Sequence, residues 1–392
     1  MRNHKKKMRI SNPNHMPLHL CEEILARLPV KDLLRFRCVC KSWRLIIDSS
    51  VFTDMHLNLY NKRYQHKNYL VLCADYNSKP TLCLCYINKF RQIDEQIVIH
   101  LPKGRLFVVV GSCKGLLLIK HETKTEETRL WNFSIRKSLL LPRCPISNHV
   151  QYVVGFSPSS NDYKVVAFTC NSIVSKTVSI AVYSLRDHRW KVKSNTKIMN
   201  SKWHVPRQLR CDDVIFVENA AYWFEFRPNY RDWYKNQQVR IVSFDFDAEE
   251  INLLELPDQV AGKEIIARFL CSIDDSLAVF SLSTESSCVW ILEKDRGNSK
   301  TPWRPWYSWK TNFDFGELFR GNIYHWLPSK TIYLQNSNTF FMKFKNQLMS
   351  YNTTSHEFRH VSKRFYGNVD TYAESLVSHT DLKWRDDGLV FP

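Results

Sequence analysis

The amino-acid sequence predicts a small all-α segment of three helices followed by a large all-β domain with a propeller-like arrangement. Apolar residues recur at helical spacing from residue 16 to about residue 47. After residue 69 they occur instead in short runs rich in β-branched and aromatic residues. Within this β-region a hairpin-like unit recurs at intervals of roughly 45 to 60 residues, a period that favours four-stranded propeller blades over a sandwich.

The helical segment contains three predicted helices. The first has one apolar stripe, formed by Leu20, Ile24, Leu25 and Leu28. Pro29 ends this helix, and Asp32 suits the first turn of a second helix, where a carboxylate favours the helix dipole. The second helix carries Leu33, Leu34 and Phe36, and the third carries Trp43, Ile46 and Ile47.

The β-region contains twelve apolar runs that turn-forming residues separate. They are YLVLC, LCLCYI, QIVIHL, LFVVV, GLLLIK, YKVVAFT, SIAVYSL, VRIVSFDF, SLAVFSL, CVWIL, FFMKF and QLMSY. Four longer stretches share the pattern of an apolar strand, a polar turn and a second strand, with Trp131, Tyr183, Phe244 and Tyr351 as their aromatic anchors. CVWIL, with Trp290, adds a fifth anchor. We expect each unit to be the outer hairpin of one blade.

Composition restricts the class of protein and its partners. The chain has 392 residues and a formal net charge of +18, which favours an acidic partner. No apolar stretch approaches the roughly eighteen residues of a membrane span, and we expect no membrane association. Residues 1–15 read as a basic flexible tail, with a nuclear-import signal at Lys5, Lys6 and Lys7 as the alternative. We expect a cytoplasmic or nuclear protein with its 12 cysteines mostly reduced, and neither a metal site nor a cofactor.

Residues 16–56 resemble a known motif. The stretch MPLHLCEEILARLPVKDLLRFRCVCKSWRLIIDSSVF resembles an F-box, a three-helix motif that docks on the Skp-type adaptor of cullin-RING ubiquitin ligases. His19 stands where the family has an Asp, which we expect to remove a helix cap at a cost of about 1 kcal/mol. The resemblance implies a set of adaptor contacts: Pro17, Ile24, Leu25, Leu28, Pro29, Val30, Leu33, Leu34 and Val39, supported by Trp43 and Ile47.

The helical segment has many large apolar side chains for its length, and these must be buried against another surface. About forty residues cannot enclose a core of their own without disulfides or metals. The segment therefore packs either on the β-region or on another protein, and the sharp change of period favours a separate module. We expect a partner, rather than the chain itself, to cover its leucines.

Residues 57–392 form the predicted β-domain. VGSCKGLLLI, LWNFSIRKSLLLP, VGFSPSSNDYKVVAF and AVYSLRDHRWK resemble the F-box-associated domain of plants, a relative of kelch-type repeats. The resemblance implies that this domain binds the protein target of the ligase. It also implies that cullin and RING subunits are reached through the adaptor.

Two stretches rich in Arg, Tyr and Trp are candidates for target binding, because such side chains dominate the energetics of interfaces. We interpret both as loops, at residues 226–238 and 301–313. Their candidate residues are Arg227, Tyr230, Trp233, Tyr234, Trp303, Arg304, Trp306 and Tyr307. The same composition would suit packing between blades, or stacking on single-stranded RNA.

Catalysis has no positive support in the sequence. Cys113, in GSCKG, has the spacing of a nucleophile elbow, but a strand rather than a helix is predicted after it. We therefore expect a non-catalytic substrate-recognition subunit of a cullin-RING ubiquitin ligase. The alternatives are an F-box scaffold acting outside the ligase, a basic nucleic-acid-binding β-protein, and an enzyme whose site is assembled from distant residues.

Overall fold

The computed structural model describes most of the helical segment and the strands of the β-region. The described residues are 16–63, 69–74, 81–87, 93–100, 107–121, 127–146, 150–170, 178–196, 214–226, 239–257, 260, 265–283, 286–293, 303–310, 331–335, 338–344, 347–362, 369–378 and 385–386.

Four helices open the described chain. They are α1 (Leu18–Leu25), α2 (Val30–Phe36), α3 (Lys41–Ile47) and α4 (Ser50–Arg63). The first three confirm the predicted helices, and Asp32 lies in the first turn of α2. The sequence did not predict α4, because its apolar residues alternate with polar ones without a clear stripe.

The start of α1 differs from the prediction about His19. Pro17 is the N-cap residue, and no side chain caps the helix. His19 is the second residue of α1, so an acidic side chain there would act on the helix dipole and would not be the N-cap. The third helix does have a side-chain cap, because the backbone N–H of Trp43 donates to Cys40 Sγ over 3.4 Å.

The β-region contains twenty-five described strands. In chain order they are β1 (Tyr69–Ala74), β2 (Thr81–Ile87), β3 (Ile93–His100), β4 (Phe107–Cys113), β5 (Leu116–His121), β6 (Thr128–Asn132), β7 (Lys137–Leu140), β8 (Gln151–Ser157), β9 (Asp162–Cys170), β10 (Val178–Ser184), β11 (Arg189–Thr196), β12 (Ile215–Val217) and β13 (Ala220–Phe226). The remainder are β14 (Val239–Asp245), β15 (Glu250–Leu254), β16 (Ile265–Ile273), β17 (Ser276–Ser283), β18 (Ser286–Leu292), β19 (Trp303–Lys310), β20 (Thr331–Leu334), β21 (Thr339–Phe344), β22 (Gln347–Asn352), β23 (Glu357–Ser362), β24 (Val369–Tyr372) and β25 (Arg385–Asp386).

These strands form six antiparallel sheets, which are the blades of a propeller. Their orders are β24-β1-β2-β3, β4-β5-β6-β7 with β25 on its outer edge, β8 to β11, β12 to β15, β16 to β19 and β20 to β23. Adjacent blades meet through their first strands: β4 contacts β8, β12 contacts β16, and β16 contacts β20. The fold class predicted from the sequence is confirmed.

Strand β24, from the C-terminal part of the chain, closes the ring. β24 pairs with β1, with Tyr69 opposite Tyr372 and Leu72 opposite Val369. It also contacts β20 on one side and β4 on the other. The innermost strand of the first blade therefore comes from the far end of the sequence, and this pairing joins the two ends of the β-region.

The repeating hairpins predicted from the sequence are confirmed. Each of the twelve apolar runs overlaps a described strand, and the four longer units are β6–β7, β10–β11, β14–β15 and β22–β23, the third and fourth strands of their blades. Each of these hairpins turns through a residue with positive φ, namely Arg136, His188, Glu249 and His356. The anchors Trp131, Tyr183, Phe244 and Tyr351 are buried in the blade cores.

The helical segment packs on the propeller. Leu57 of α4 is buried in the apolar core that the second and third blades share, together with Val110, Cys113 and Val165. Below the helices, Asn161 Nδ2 at the β8–β9 turn donates to Asp54 Oδ2 over 3.1 Å. The β-region therefore covers part of the surface of the helical segment, which is one of the two kinds of cover considered from the sequence.

Candidate functional site

The helical segment presents an apolar face to solvent. Ile24 of α1 is 51 % exposed and Val39, between α2 and α3, is 60 % exposed. Pro17 is also exposed, and four other predicted adaptor-contact residues are half-buried: Leu28, Pro29, Leu34 and Trp43. We call these seven residues the docking face. Leu28, Leu34 and Trp43 also pack partly against the core of the helical segment, whereas the side chains of Ile24 and Val39 lie mainly in solvent. Exposed apolar side chains that adjoin such half-buried ones are typical of a protein-binding surface.

The other four predicted contact residues are inside the chain. Leu25, Val30, Leu33 and Ile47 are buried in one apolar cluster with Phe52. The expectation that a partner covers the leucines of this segment is wrong for Leu25 and Leu33, because α3, α4 and a C-terminal side chain already enclose them. These residues hold the helices together, and the contact predicted for them with an adaptor stays a prediction.

Among the described side chains of residues 16–59, six further exposed large apolar residues are absent from the predicted adaptor contacts: Met16, Leu18, Leu20, Leu45, Val51 and Leu59. Leu45 on α3 is 74 % exposed and Val51 on α4 is 77 % exposed. Leu45 directly precedes the predicted stripe residues Ile46 and Ile47, and a stripe does not show which neighbouring side chain faces solvent. Val51 lies on the helix that was not predicted.

Ion pairs restrain the charged groups around the docking face. Arg37 Nε lies 2.6 Å from Asp48 Oδ1, which links the end of α2 to the end of α3. Arg35 Nη1 lies 3.6 Å from Asp32 Oδ1 within α2. Exposed pairs of this kind contribute little stability, but they place charges of both signs on the same helical segment as the apolar residues.

His56 fastens α4 beneath the docking face. Its side chain is buried, and Nε2 lies 2.8 Å from the carbonyl oxygen of Leu28. Burial lowers the pKa of His56, and the hydrogen bond to Leu28 opposes that shift. The neutral ring therefore ties α4 to the segment between α1 and α2, where Leu28 and Pro29 of the docking face lie.

The structure describes only half of the candidate target-binding residues. Arg227, Tyr230, Trp233 and Tyr234 lie outside the described residues. The second stretch was interpreted as a loop, and this is wrong, because residues 303–310 form β19, the outer strand of its blade. Two prolines obscured the strand pattern, and an edge strand tolerates Pro305 because its N–H is not needed there.

The aromatic residues of β19 join neighbouring blades. Trp303 is buried, and its Nε1–H donates to the carbonyl oxygen of Glu255 over 2.9 Å. Trp306 packs edge-on against Tyr333 at 5.4 Å between ring centroids. The Tyr307 hydroxyl donates to the carbonyl oxygen of Thr353 over 2.6 Å. These contacts match the packing role that the sequence left as one alternative.

Arg304 is exposed on the same strand. Its Nε lies 2.6 Å from Glu293 Oε1. The guanidinium therefore already has a partner within the chain. No contact with a target is tested for any of the eight candidate residues, and target binding by them stays a prediction.

Cys113 lacks the surroundings of a nucleophile. It ends β4, and the strand β5 follows after the Lys114–Gly115 turn, as the sequence indicated. Its thiol is buried, and burial raises its pKa far above the ordinary value, with Lys114 opposing the shift. A thiol held protonated in an apolar core is a packing group.

Three further observations on the described residues concern metal binding, membrane spans and a sequon. No group of three or more His, Cys, Asp or Glu side chains among them is arranged to hold a metal ion. None of the helices in that part of the chain has the length and apolar character needed to cross a bilayer. Asn132, which begins an Asn-Phe-Ser sequon, is buried and hydrogen-bonded.

Family profiles match both parts of the chain. The profile described as F-box domain matches residues 14–54. The profile described as F-box associated beta propeller domain matches residues 65–312. The matched ranges correspond to the helical segment and to most of the blades.

Relatives with the same layout occur in Arabidopsis thaliana. The chain is 25 % identical to an F-box/kelch-repeat protein over 95 % of this chain and 98 % of the relative. It is 26 % identical to an F-box/WD-40 repeat-containing protein over 75 % of this chain and 68 % of the relative. Among solved structures, TolB from Acinetobacter baumannii covers 82 % of this chain and 72 % of its own at 12 % identity, with a TM-score of 0.42.

Proposed function

Because the chain belongs to the F-box associated β-propeller family, we propose that it is the substrate-recognition subunit of a cullin-RING ubiquitin ligase. An F-box joined to a propeller indicates a substrate-recognition adaptor in general, and the F-box indicates binding to a Skp-type adaptor. The proposal adds the ligase itself, with cullin and RING subunits reached through that adaptor.

The exposure of Ile24 and Val39 in the docking face is the observation that carries the proposal. The apolar core of the helical segment is closed by Leu25, Leu33 and neighbouring side chains, so Ile24 and Val39 are not needed inside it. Side chains that remain exposed when the core is complete are free to enter another protein. Burial of such residues contributes about 25 cal/mol for each Å² of apolar surface removed from water.

The chain performs no bond chemistry in this proposal. The helical segment holds the adaptor while the propeller holds a protein target, and the assembly brings the target's lysines to a ubiquitin-loaded enzyme. The gain comes from effective concentration and orientation. The net charge of +18 favours targets with an acidic face, and their capture should weaken as salt screens exposed charges.

Binding of purified full-length chain to a Skp-type adaptor tests the proposal. Ile24→Asp and Val39→Asp place a carboxylate in the interface, and we expect each to cost about 2 kcal/mol, or a roughly 30-fold weaker Kd by calorimetry. Both positions are exposed, so the fold should tolerate the change. Leu33→Asp is unsuitable, because Leu33 is fully buried and a charge there would unfold the segment.

The matched control is Leu253→Asp on β15, where an exposed apolar residue of the propeller receives the same charge. It should leave the Kd for the adaptor unchanged. Wild-type affinity in Ile24→Asp and Val39→Asp would contradict the docking role. Recovery of the adaptor without cullin from extract would favour a scaffold acting outside the ligase.

A further inference from the structure

The segment of residues 372–377, which begins at the last residue of the ring-closing strand β24, lies between the helices and the propeller. We call this segment the strap. Leu376 is 7 % exposed, and its side chain belongs to the apolar cluster of the helical segment, with Leu25, Leu33 and Ile46. The next residue, Val377, belongs to the propeller core that also contains Leu57 of α4. Consecutive strap residues therefore enter the two cores on either side.

A buried asparagine fixes the strap to the second blade. Asn132, at the end of β6, donates through Nδ2 to the carbonyl oxygens of Ser375 and Val377, over 3.0 and 2.9 Å. Its Oδ1 accepts from the Tyr372 hydroxyl over 3.1 Å and from the backbone N–H of Ser134 over 2.9 Å. Because Asn132 is fully buried, water cannot satisfy its polar atoms, and these hydrogen bonds within the chain satisfy them instead.

The β4–β5 turn leaves room for the strap. Gly115 has a φ of +81°, and a Cβ atom built there would lie 2.3 Å from Ser375 Oγ. The Ser375 hydroxyl donates to the carbonyl oxygen of Gly115 over 3.3 Å. The strap thus sits directly against a backbone that only glycine can provide.

The blade also reaches the helices next to the strap. Ile135, in the β6–β7 turn three residues after Asn132, packs partly buried against the same helical cluster as Leu376. Two apolar side chains from outside the helices therefore contribute to their core. A segment of about forty residues is too small to close a core unaided, which explains why it recruits them.

We propose that the strap is a positioning element: Leu376 completes the core of the helical segment while Asn132 holds the strap on the second blade, so that the helices and the propeller move as one body. This coupling does not depend on an adaptor. Its consequence, that a bound target is held at a fixed distance and direction from the adaptor, rests on the proposed function.

Hydrogen–deuterium exchange of the full chain, without any adaptor, tests the coupling. Leu376→Ala removes the apolar contact, and Asn132→Asp keeps the shape but removes the Nδ2 donor. In both variants we expect the backbone amides of α1, α2 and α3 to exchange at least roughly tenfold faster than in the wild-type chain. Amides of β16, β17 and β18, in a blade remote from the strap in sequence, should keep wild-type protection.

Two controls separate positioning from general stability. Leu376→Met conserves volume and should restore wild-type exchange in the helices. Leu253→Ala, an exposed site on β15, should change neither region. Unchanged exchange of the helices in both Leu376→Ala and Asn132→Asp would overturn the proposal.

Equal loss of protection in β16–β18 would also overturn it, because the strap would then only close the ring. A wild-type chain that fails to bind the adaptor would contradict the proposed function, and the exchange result would be unaffected.

Discussion

Replacing Trp309 by alanine tests whether the aromatic side chains of β19 join two blades. The indole is half-buried and stacks between Phe280, at 5.5 Å between ring centroids, and Tyr351 of the next blade, at 4.8 Å. Truncating a fully buried Trp costs about 3–5 kcal/mol, so we expect about 2 kcal/mol for this half-buried one. Urea unfolding, monitored by far-UV circular dichroism so that the signal does not depend on the missing tryptophan, should show this loss as a lower unfolding midpoint.

Two further variants of the same strand calibrate that result. Tyr307→Phe removes only the hydroxyl that donates to the Thr353 carbonyl, and should cost about 1 kcal/mol. Arg304→Ala breaks an exposed ion pair with Glu293 and should cost less than about 1 kcal/mol. A wild-type midpoint for Trp309→Ala would refute the packing role, and would leave the β19 aromatics as candidates for target contact.

Two other predictions concern the propeller. Burial acts to raise the pKa of Asp247, but hydrogen bonds from Ser157, Ser159 and Asn219 outweigh it and lower the pKa to about 2. Because the folded-state pKa lies below the unfolded value of 3.8, the stabilisation is present above about pH 4 and is lost as pH falls towards 2. Asp247→Asn should therefore flatten the profile of melting temperature against pH in this range. A variant profile identical to that of the wild type would contradict this prediction. Gly155→Ala should destabilise the third blade by about 1–3 kcal/mol in urea unfolding, since the new Cβ would lie 2.2 Å from the ring of Phe246; no loss would mean that the ring moves aside.

The spacing of apolar residues predicted the blades, because the strands appear in the sequence as short apolar runs and the outer hairpin recurs from blade to blade. Tyr183 and Tyr351 could be identified as anchors since a buried aromatic recurs at the same place in each outer hairpin. β19 was missed because Pro305 and closely spaced aromatic residues interrupt that alternation. The closure of the ring by β24 could not be predicted, since pairing between residues about 300 apart leaves no local pattern.

The candidate site was predicted less completely than the fold. Ile24 and Leu25 are adjacent and were assigned to one apolar stripe, yet Ile24 is exposed and Leu25 is buried. A stripe shows that side chains need cover, but not whether the same chain or another one supplies it. The cover for Leu25 includes Leu376, which is remote in sequence, so only the folded chain could reveal it.

The most direct measurement of the central claim is a hydrogen-exchange footprint of the full chain with and without a Skp-type adaptor. We predict that the adaptor slows exchange in residues 17–43, which contain the docking face, and leaves β19 and β22 unchanged. An adaptor complex in which residues 17–43 exchange as fast as in the free chain would contradict the account. So would the absence of any complex at micromolar concentrations.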